Sequence, residues 1–368
     1  MTEGNGMDYG LLVPTYIDMW KEVVRAEEAG FTHAWFPDSQ LIWSDCYAAM
    51  ALAAERTSTI KLGTLVSIPS NRIAPVTASA IATINKLAPG RTILALGTGY
   101  TGRNTMGLPT YPVRKFREYA QQVRDLLDGK DVLHTDDVTG RETWIRLIHP
   151  DHPDFYNIKD HIPIYIAANG PRATAVVGQV GDGWVTSGAG PWLEPGFEII
   201  GQAAEESGRS SERPYTVGLV GACILDDGED LMSDRVLQRA GAVAAVYNHT
   251  LWESEYGGWG GNLKGIDPDS AAEYNQYITA YAEERGHPTD RLYLDVHEGH
   301  YSYLKEGEAE FITRDRLEDM MIGTPDRFIE KAEAAEARGL SHFALTALDP
   351  AAANDLIDEM APIIARTS

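Results

Sequence analysis

Residues 52–99 read LAAERTSTIKLGTLVSIPSNRIAPVTASAIATINKLAPGRTILALGTG. Two short apolar runs, IKLGTLVSIP at 60–69 and RTILALGTG at 91–99, enclose a helix-like stretch from Pro75 to Leu87. Strand, helix, strand is the unit of a parallel sheet, because the helix must return the chain to the edge where the first strand began. The same unit recurs on both sides. Upstream, a strand at Tyr9 to Pro14 precedes a helix at Met19 to Gly30, in which Trp20, Val23, Val24 and Ala26 recur at helical spacing. A second strand, His33 to Pro37, is followed by a polar loop, Asp38 to Asp45, and an Ala-rich helix ending at Arg56.

Downstream, a helix at Arg114 to Leu127 follows the fourth strand. Four more strands then read PIYIAA (163–168), GWVTSG (183–188), TVGLVGACIL (216–225) and HFALTAL (342–348), with helices at 171–181, Glu194 to Gly208 and Ala351 to Arg366. Eight units in 368 residues predict an α/β fold of the (β/α)8 TIM-barrel type over a doubly wound sheet. Two stretches exceed what the units need. Residues 132–161 read as an irregular β-rich insertion, and 226–325 as a helical insertion over one barrel end, so that 1–368 forms a single embellished domain.

The composition, 43% hydrophobic and 23% charged, is that of a folded chain with a sizeable core. Lys plus Arg number 31 against 54 Asp plus Glu, a net charge of −23 that repels phosphate backbones and anionic lipid. Neither nucleic acid nor membrane is an expected partner. Cys46 and Cys223 are too few for a disulfide framework and read as small core residues of a reduced, cytoplasmic protein. The opening MTEGNGMDYG lacks the features of an export signal, and no apolar run reaches the roughly 18 residues of a membrane span.

In a barrel of this type chemistry collects where strands exit into loops. Gly97-Thr98-Gly99-Tyr100-Thr101-Gly102 matches the G-x-G-x-x-G dinucleotide fingerprint, but no helix is expected directly after it and no acid-tipped second strand follows at the right distance. The alternative is that bare backbone lets a flat ligand lie against the barrel mouth. Trp35, Trp43, Trp184 and Trp192, near strand ends, suggest aromatic walls for the same ligand. His297-Glu298-Gly299-His300 offers two imidazoles at a metal-ligand spacing, yet a solvated loop pair is the expected reading, and no metal site is assigned.

Four segments in fixed order carry a resemblance: AEEAGFTHAWFPDS (26–39), the stretch 52–99, IPIYIAANGPRATAVVGQVGDGWVTSG (162–188) and GTPDRFIEKAEAAEARGLSHFAL (323–345). In these the chain resembles the bacterial luciferase-like oxidoreductases, (β/α)8 enzymes that use a flavin or the deazaflavin coenzyme F420. The resemblance implies a ring in the barrel mouth, bordered by Asp38, by Thr64, Leu65 and Val66, and by Gly97, Thr98 and Gly99. Relatives have a non-prolyl cis peptide after the third strand, which here would be Leu65–Val66. Ala167, Ala168, Asn169 and Gly170 would contact the ribityl chain and phosphate by backbone, and Thr186 and Ser187 match a phosphate-contacting position.

The chain also departs from the family's sugar-phosphate dehydrogenases. Ser39 stands where they have a histidine, Tyr100 where they have a glutamate, and Ala189 where they have a phosphate-binding lysine. With that lysine absent, the resemblance is read as a monooxygenase using reduced FMN and oxygen on a small organic substrate. Ser39 and Tyr100 are its candidate catalytic hydrogen-bond donors. A separate flavin reductase would supply reduced flavin, and a homodimer is expected because relatives commonly pair through barrel helices. Two alternatives stay open: F420-dependent hydride transfer, akin to methylenetetrahydromethanopterin reductase, and a non-catalytic flavin-binding protein.

Overall fold

A computed structural model describes residues 6–258 and 267–367. Residues 259–266 of the expected second insertion, and the first five residues of the N-terminal segment, lie outside the described residues. The strands are β1 Asp8–Leu12, β2 His33–Phe36, β3 Lys61–Thr64, β4 Thr92–Leu96, β5 Val132–Thr135, β6 Glu142–Ile145, β7 Ile164–Ala167, β8 Gly183–Ser187, β9 Tyr215–Ile224, β10 Met321–Gly323 and β11 His342–Thr346. Eight of them run parallel in the order β11-β1-β2-β3-β4-β7-β8-β9, and β9 pairs with β11 to close the ring. This is a (β/α)8 TIM barrel.

The expected insertions take definite shapes. The first opens with an antiparallel hairpin of β5 and β6, Val132 facing Ile145. The second contains the helices Asp234–Trp252 and Pro268–Glu284, and near its end β10 extends the sheet beside the last residues of β9. Ser233 starts the first of these helices by accepting the Val236 amide on its hydroxyl. Among the described residues, no helix is long and apolar enough to cross a membrane.

Side chains alternate across each strand, so one set faces the surrounding helices and the other fills the barrel. The outer set forms the main core, which includes Cys46, while Cys223 is buried in a smaller cluster under the second insertion. Inside the barrel, Trp35 is fully buried among Leu12, Ile93, Tyr165, Val217 and Ala344. Its indole N–H donates to His342 Nε2 at 3.0 Å, and its ring stacks on His33 with centroids 5.5 Å apart.

Glycines opposite the indole make the room. A Cβ on Gly63 would lie 2.3 Å from Trp35 Cζ3, and one on Gly10 would lie 2.6 Å from Trp35 Nε1. Trp35 is therefore the barrel's plug, not the wall of a ligand pocket. Trp184 is corrected likewise: it faces the outer core, edge-on to Phe197, with its N–H on the Ala168 carbonyl. Both tryptophans precede their strand ends by at least one residue, and pleat direction, invisible in a count of aromatics, decides which side they fill.

The close approach at Gly63 sets an expected outcome. Gly63→Ala should lower unfolding free energy by about 1–3 kcal/mol, because a methyl group there must push the indole out of its place. Equilibrium urea unfolding of the two proteins measures it, and an unchanged midpoint would show that Trp35 has room to yield.

Candidate active site

The exits of β2 and β3 are tied by one carboxylate. Asp38, just past β2, is buried and takes Arg72 Nη1 at 2.5 Å and the Ser67 hydroxyl at 3.2 Å on the same oxygen. Burial pushes the Asp38 carboxyl up, against the opposing pull of Arg72. Ser39, also buried, turns the loop by accepting the Trp43 amide on its carbonyl at 3.1 Å. Thr64 spends its hydroxyl within the sheet, donating to the Ala95 carbonyl and accepting the Ala95 amide.

The peptide Leu65–Val66 is cis, at the position the resemblance implied. The ladder resumes directly after it, with the Ser67 amide on the Ala95 carbonyl and the Gly97 amide on the Ser67 carbonyl.

This bulge brings Val66 against β4. A Cβ on Gly97 would lie 2.6 Å from Val66 Cγ2 and 3.5 Å from the Ala167 methyl, so only bare backbone passes between the exits of β3 and β7. Thr98 accepts the Tyr111 amide, and Gly99 turns with φ +80°. Contrary to expectation, a one-turn helix, Tyr100–Asn104, starts at once. A segment of five residues with Gly102 inside it has weak helical propensity, and contacts with the second insertion hold it.

On the far side of the mouth, Asn169 fixes two strand exits together. Its amide nitrogen donates to the Ser187 hydroxyl at 3.0 Å, and its carbonyl oxygen takes the Thr186 hydroxyl and the Ser187 amide. The Ala168 amide donates to the Val185 carbonyl, which leaves Ala167 and Gly170 to carry the rim. Gly170 opens the helix Pro171–Val180, has no side-chain cap and borders open space.

The second insertion roofs this mouth through a polar network that sequence spacing did not disclose. Tyr100 points its hydroxyl at Thr250 of the helix Asp234–Trp252. Burial first, and then the Glu253 charge, pushes the phenol well above its ordinary pKa, so it stays protonated. Glu253 is itself fully buried at the start of a π-helical turn, Glu253–Gly257. Its Oε1 meets His297 Nε2 at 2.8 Å, and its Oε2 has no partner among the described residues. His297 Nδ1 lies 2.6 Å from the Tyr293 carbonyl, which can only accept, so a single proton serves the contact between Nε2 and Oε1.

A second chain of contacts has an assigned direction. The Lys305 ammonium lies 2.7 Å from Glu308 Oε1. Burial opposes ionisation of Glu308, but the His249 bond and the Lys305 charge outweigh it and hold the carboxyl down to about 2. Burial and the Lys305 charge also hold His249 down to about 4, so it is neutral and donates Nε2–H to Glu308. Its Nδ1 then accepts His300 Nδ1–H at 2.7 Å, and His300 Nε2 accepts the Thr101 hydroxyl at 3.0 Å. His297 and His300 are thus buried and fully engaged, which corrects the solvated-pair reading. Their partners lie some 44 to 51 residues back in the sequence, beyond the reach of a local motif.

Beside the network, a cleft of about 590 Å³ is lined by Leu41, Ile42, Thr105, Asp295, His297 and Ser302. The arrangement gives a floor of bare backbone at Gly97 and Ala167, a rim of fixed amides at Asn169, and a roof of buried, hydrogen-bonded polar groups. Bare backbone of this kind suits the flat face of a planar ring. Asp8, His33 and His342 come within 4.8 Å of one another at the opposite barrel end. There, however, His342 Nε2 is taken by the Trp35 N–H and Asp8 takes the Tyr215 hydroxyl, a hydrogen-bonded floor.

Comparison with known proteins agrees with this fold. The chain is similar to the F420-dependent glucose-6-phosphate dehydrogenase of Kineococcus radiotolerans, 32% identical over 212 residues, which are 51% of this chain and 60% of that protein. The match to that enzyme therefore spans less than two thirds of its length. Similarity to the 5,10-methylenetetrahydromethanopterin reductase of Archaeoglobus fulgidus is 27% over 275 residues, 68% of this chain and 79% of that one. The coenzyme F420-dependent tetrahydromethanopterin reductase from Methanopyrus kandleri shares the fold, with a TM-score of 0.71 at 21% identity over 99% of this chain and all of that one. A family model described as luciferase-like monooxygenase matches residues 3–342. Since that match runs from ahead of β1 to the first residue of β11, through every exit loop of the mouth, the chain belongs to the luciferase-like monooxygenase family.

Proposed function

We propose that the protein is an F420-dependent oxidoreductase that exchanges hydride with a small ketone, enone or imine. The observation that carries this reading is the Tyr100 phenol at the exit of β4, backed by the buried Glu253 and His297. Reduction of a polarised double bond needs a proton on the heteroatom, and this group can hold and move one. The sequence relatives named above support the choice of F420 over the FMN that the missing lysine at Ala189 favoured.

Bound in the mouth, coenzyme F420 would supply the hydride chemistry. Val66, Gly97, Ala167, Asn169 and Gly170 would hold it. The chain's remaining work is proton transfer and exclusion of water. Tyr100 Oη would deliver a proton to the substrate and be reprotonated by the Glu253–His297 pair, which would give up the one proton held between Oε1 and Nε2 and be left as a carboxylate and a neutral imidazole. Oxidation of an alcohol would run the same steps in reverse. The cleft lined by Leu41 and Ile42 would admit the substrate beneath the second insertion. Ser39, the other expected donor, is on this reading a buried loop residue beside Asp38.

Fluorescence titration of the purified protein should show F420 binding at least tenfold tighter than FMN, a difference of about 1.4 kcal/mol. The same preference for FMN, with oxygen uptake when reduced FMN and substrate are supplied, would restore the oxygenase reading.

With a substrate found by following F420 absorbance against a carbonyl panel, Tyr100→Phe and Glu253→Gln should each lower kcat by roughly 100-fold while cofactor affinity stays within about twofold. Unchanged kcat in both variants would remove this group from the chemistry.

A further inference from the structure

We propose that the arginine-lined cleft between the helices Val113–Leu127 and Pro171–Val180 binds the anionic arm of the coenzyme, its phosphate and glutamyl carboxylates. The inference rests on the F420 reading and locates the counter-charge which that reading requires. A chain of net charge −23 repels a polyanionic arm unless cations are gathered where the arm lies.

The place where relatives keep a lysine does not provide them. The Ala189 carbonyl accepts Arg338 Nη1 at 2.7 Å, and the same guanidinium is paired with Glu194 at 2.8 Å. Arg338 is thus occupied in holding the loop after β8.

The cations gather instead at the rim between β4 and β7. A cleft of about 640 Å³ is lined by Thr110, Tyr111, Arg114, Arg117, Arg172 and Gln179. Among the described residues Arg114 is paired only with Glu118, four residues on, with both side chains largely exposed. Such a pair is worth little and yields to a better anion. Among the described residues no ion pair engages Arg117 or Arg172. Asp137 is the opposing charge, and its field reaches Tyr111.

Two helices also begin here, and neither Pro112 nor Gly170 provides a side-chain cap, so orphan first-turn N–H groups add to the positive potential. Guanidinium forks match carboxylate and phosphate oxygens in pairs, which favours this arm over a simple halide. The cleft also adjoins the mouth. Tyr111 donates its amide to the Thr98 carbonyl at 2.8 Å, and Arg172 is the second residue after Gly170. An arm leaving the bare-backbone floor past Gly170 would meet Arg172 first.

The test compares F420 with the deazaflavin that lacks phosphate and glutamyl groups, in the full chain and in the triple variant Arg114→Ala/Arg117→Ala/Arg172→Ala. All three side chains reach solvent, so the variant should fold, and its binding of the tail-less compound reports that it has. In low salt the unmodified protein should bind F420 roughly 10- to 100-fold tighter than the tail-less compound. The triple variant should bind both alike, and salt should erase the difference in the unmodified protein. If the triple variant keeps the full preference for F420, the cleft is not the tail site, and the F420 reading stands without it. If the unmodified protein binds neither deazaflavin, the F420 reading falls and this inference falls with it.

Discussion

A tryptophan inside the barrel determines where everything else can happen. The indole of Trp35 fills the space that Gly10 and Gly63 leave open, bonds to His342 and stacks on His33, so the ring of eight strands encloses packed side chains. Interiors at crystal-like density have no room for a cofactor. On the proposed function the ligand lies above the strand ends, on the loops, and those loops are held by interactions that the plugged barrel keeps in register. Asp38 with Arg72 joins the exits of β2 and β3, and Asn169 with Ser187 joins those of β7 and β8.

The roof is built by a different rule. Its buried histidines, carboxylates and lysine lie under an insertion, where low dielectric makes each unpaired group costly and each paired one directional. The run from Thr101 through His300 and His249 to Glu308 is closed at its end by a carboxylate and an ammonium, which suits a structural strut. The pair of Glu253 and His297 beside Tyr100 has one oxygen with no partner among the described residues and one shared proton. Of two neighbouring networks made from the same residue types, the second is the one that the proposed function uses. The π-helical turn at Glu253 fits this view, since such turns recur at functional sites.

Alternation of short apolar runs with helical stretches was enough to read the barrel from the sequence, because period and order of elements are local properties of the chain. The exit-loop segments were legible for a related reason: the resemblance rests on contiguous residues, and the cis bond at Leu65–Val66 came with it. What local reading could not do was tell inside from outside. Trp35 and Trp184 look alike in sequence, yet one plugs the barrel and the other joins the outer core. Tyr100 was read as a candidate donor, but its partner Thr250 is 150 residues away along the chain. His297 and His300 read as a solvated loop pair and proved to be buried in the roof. The sequence by itself determined the unit, the count and the order of the exits. Only the tertiary structure decided which polar groups lose water together, because burial and pairing depend on contacts between segments far apart in sequence, and no spacing rule carries that information.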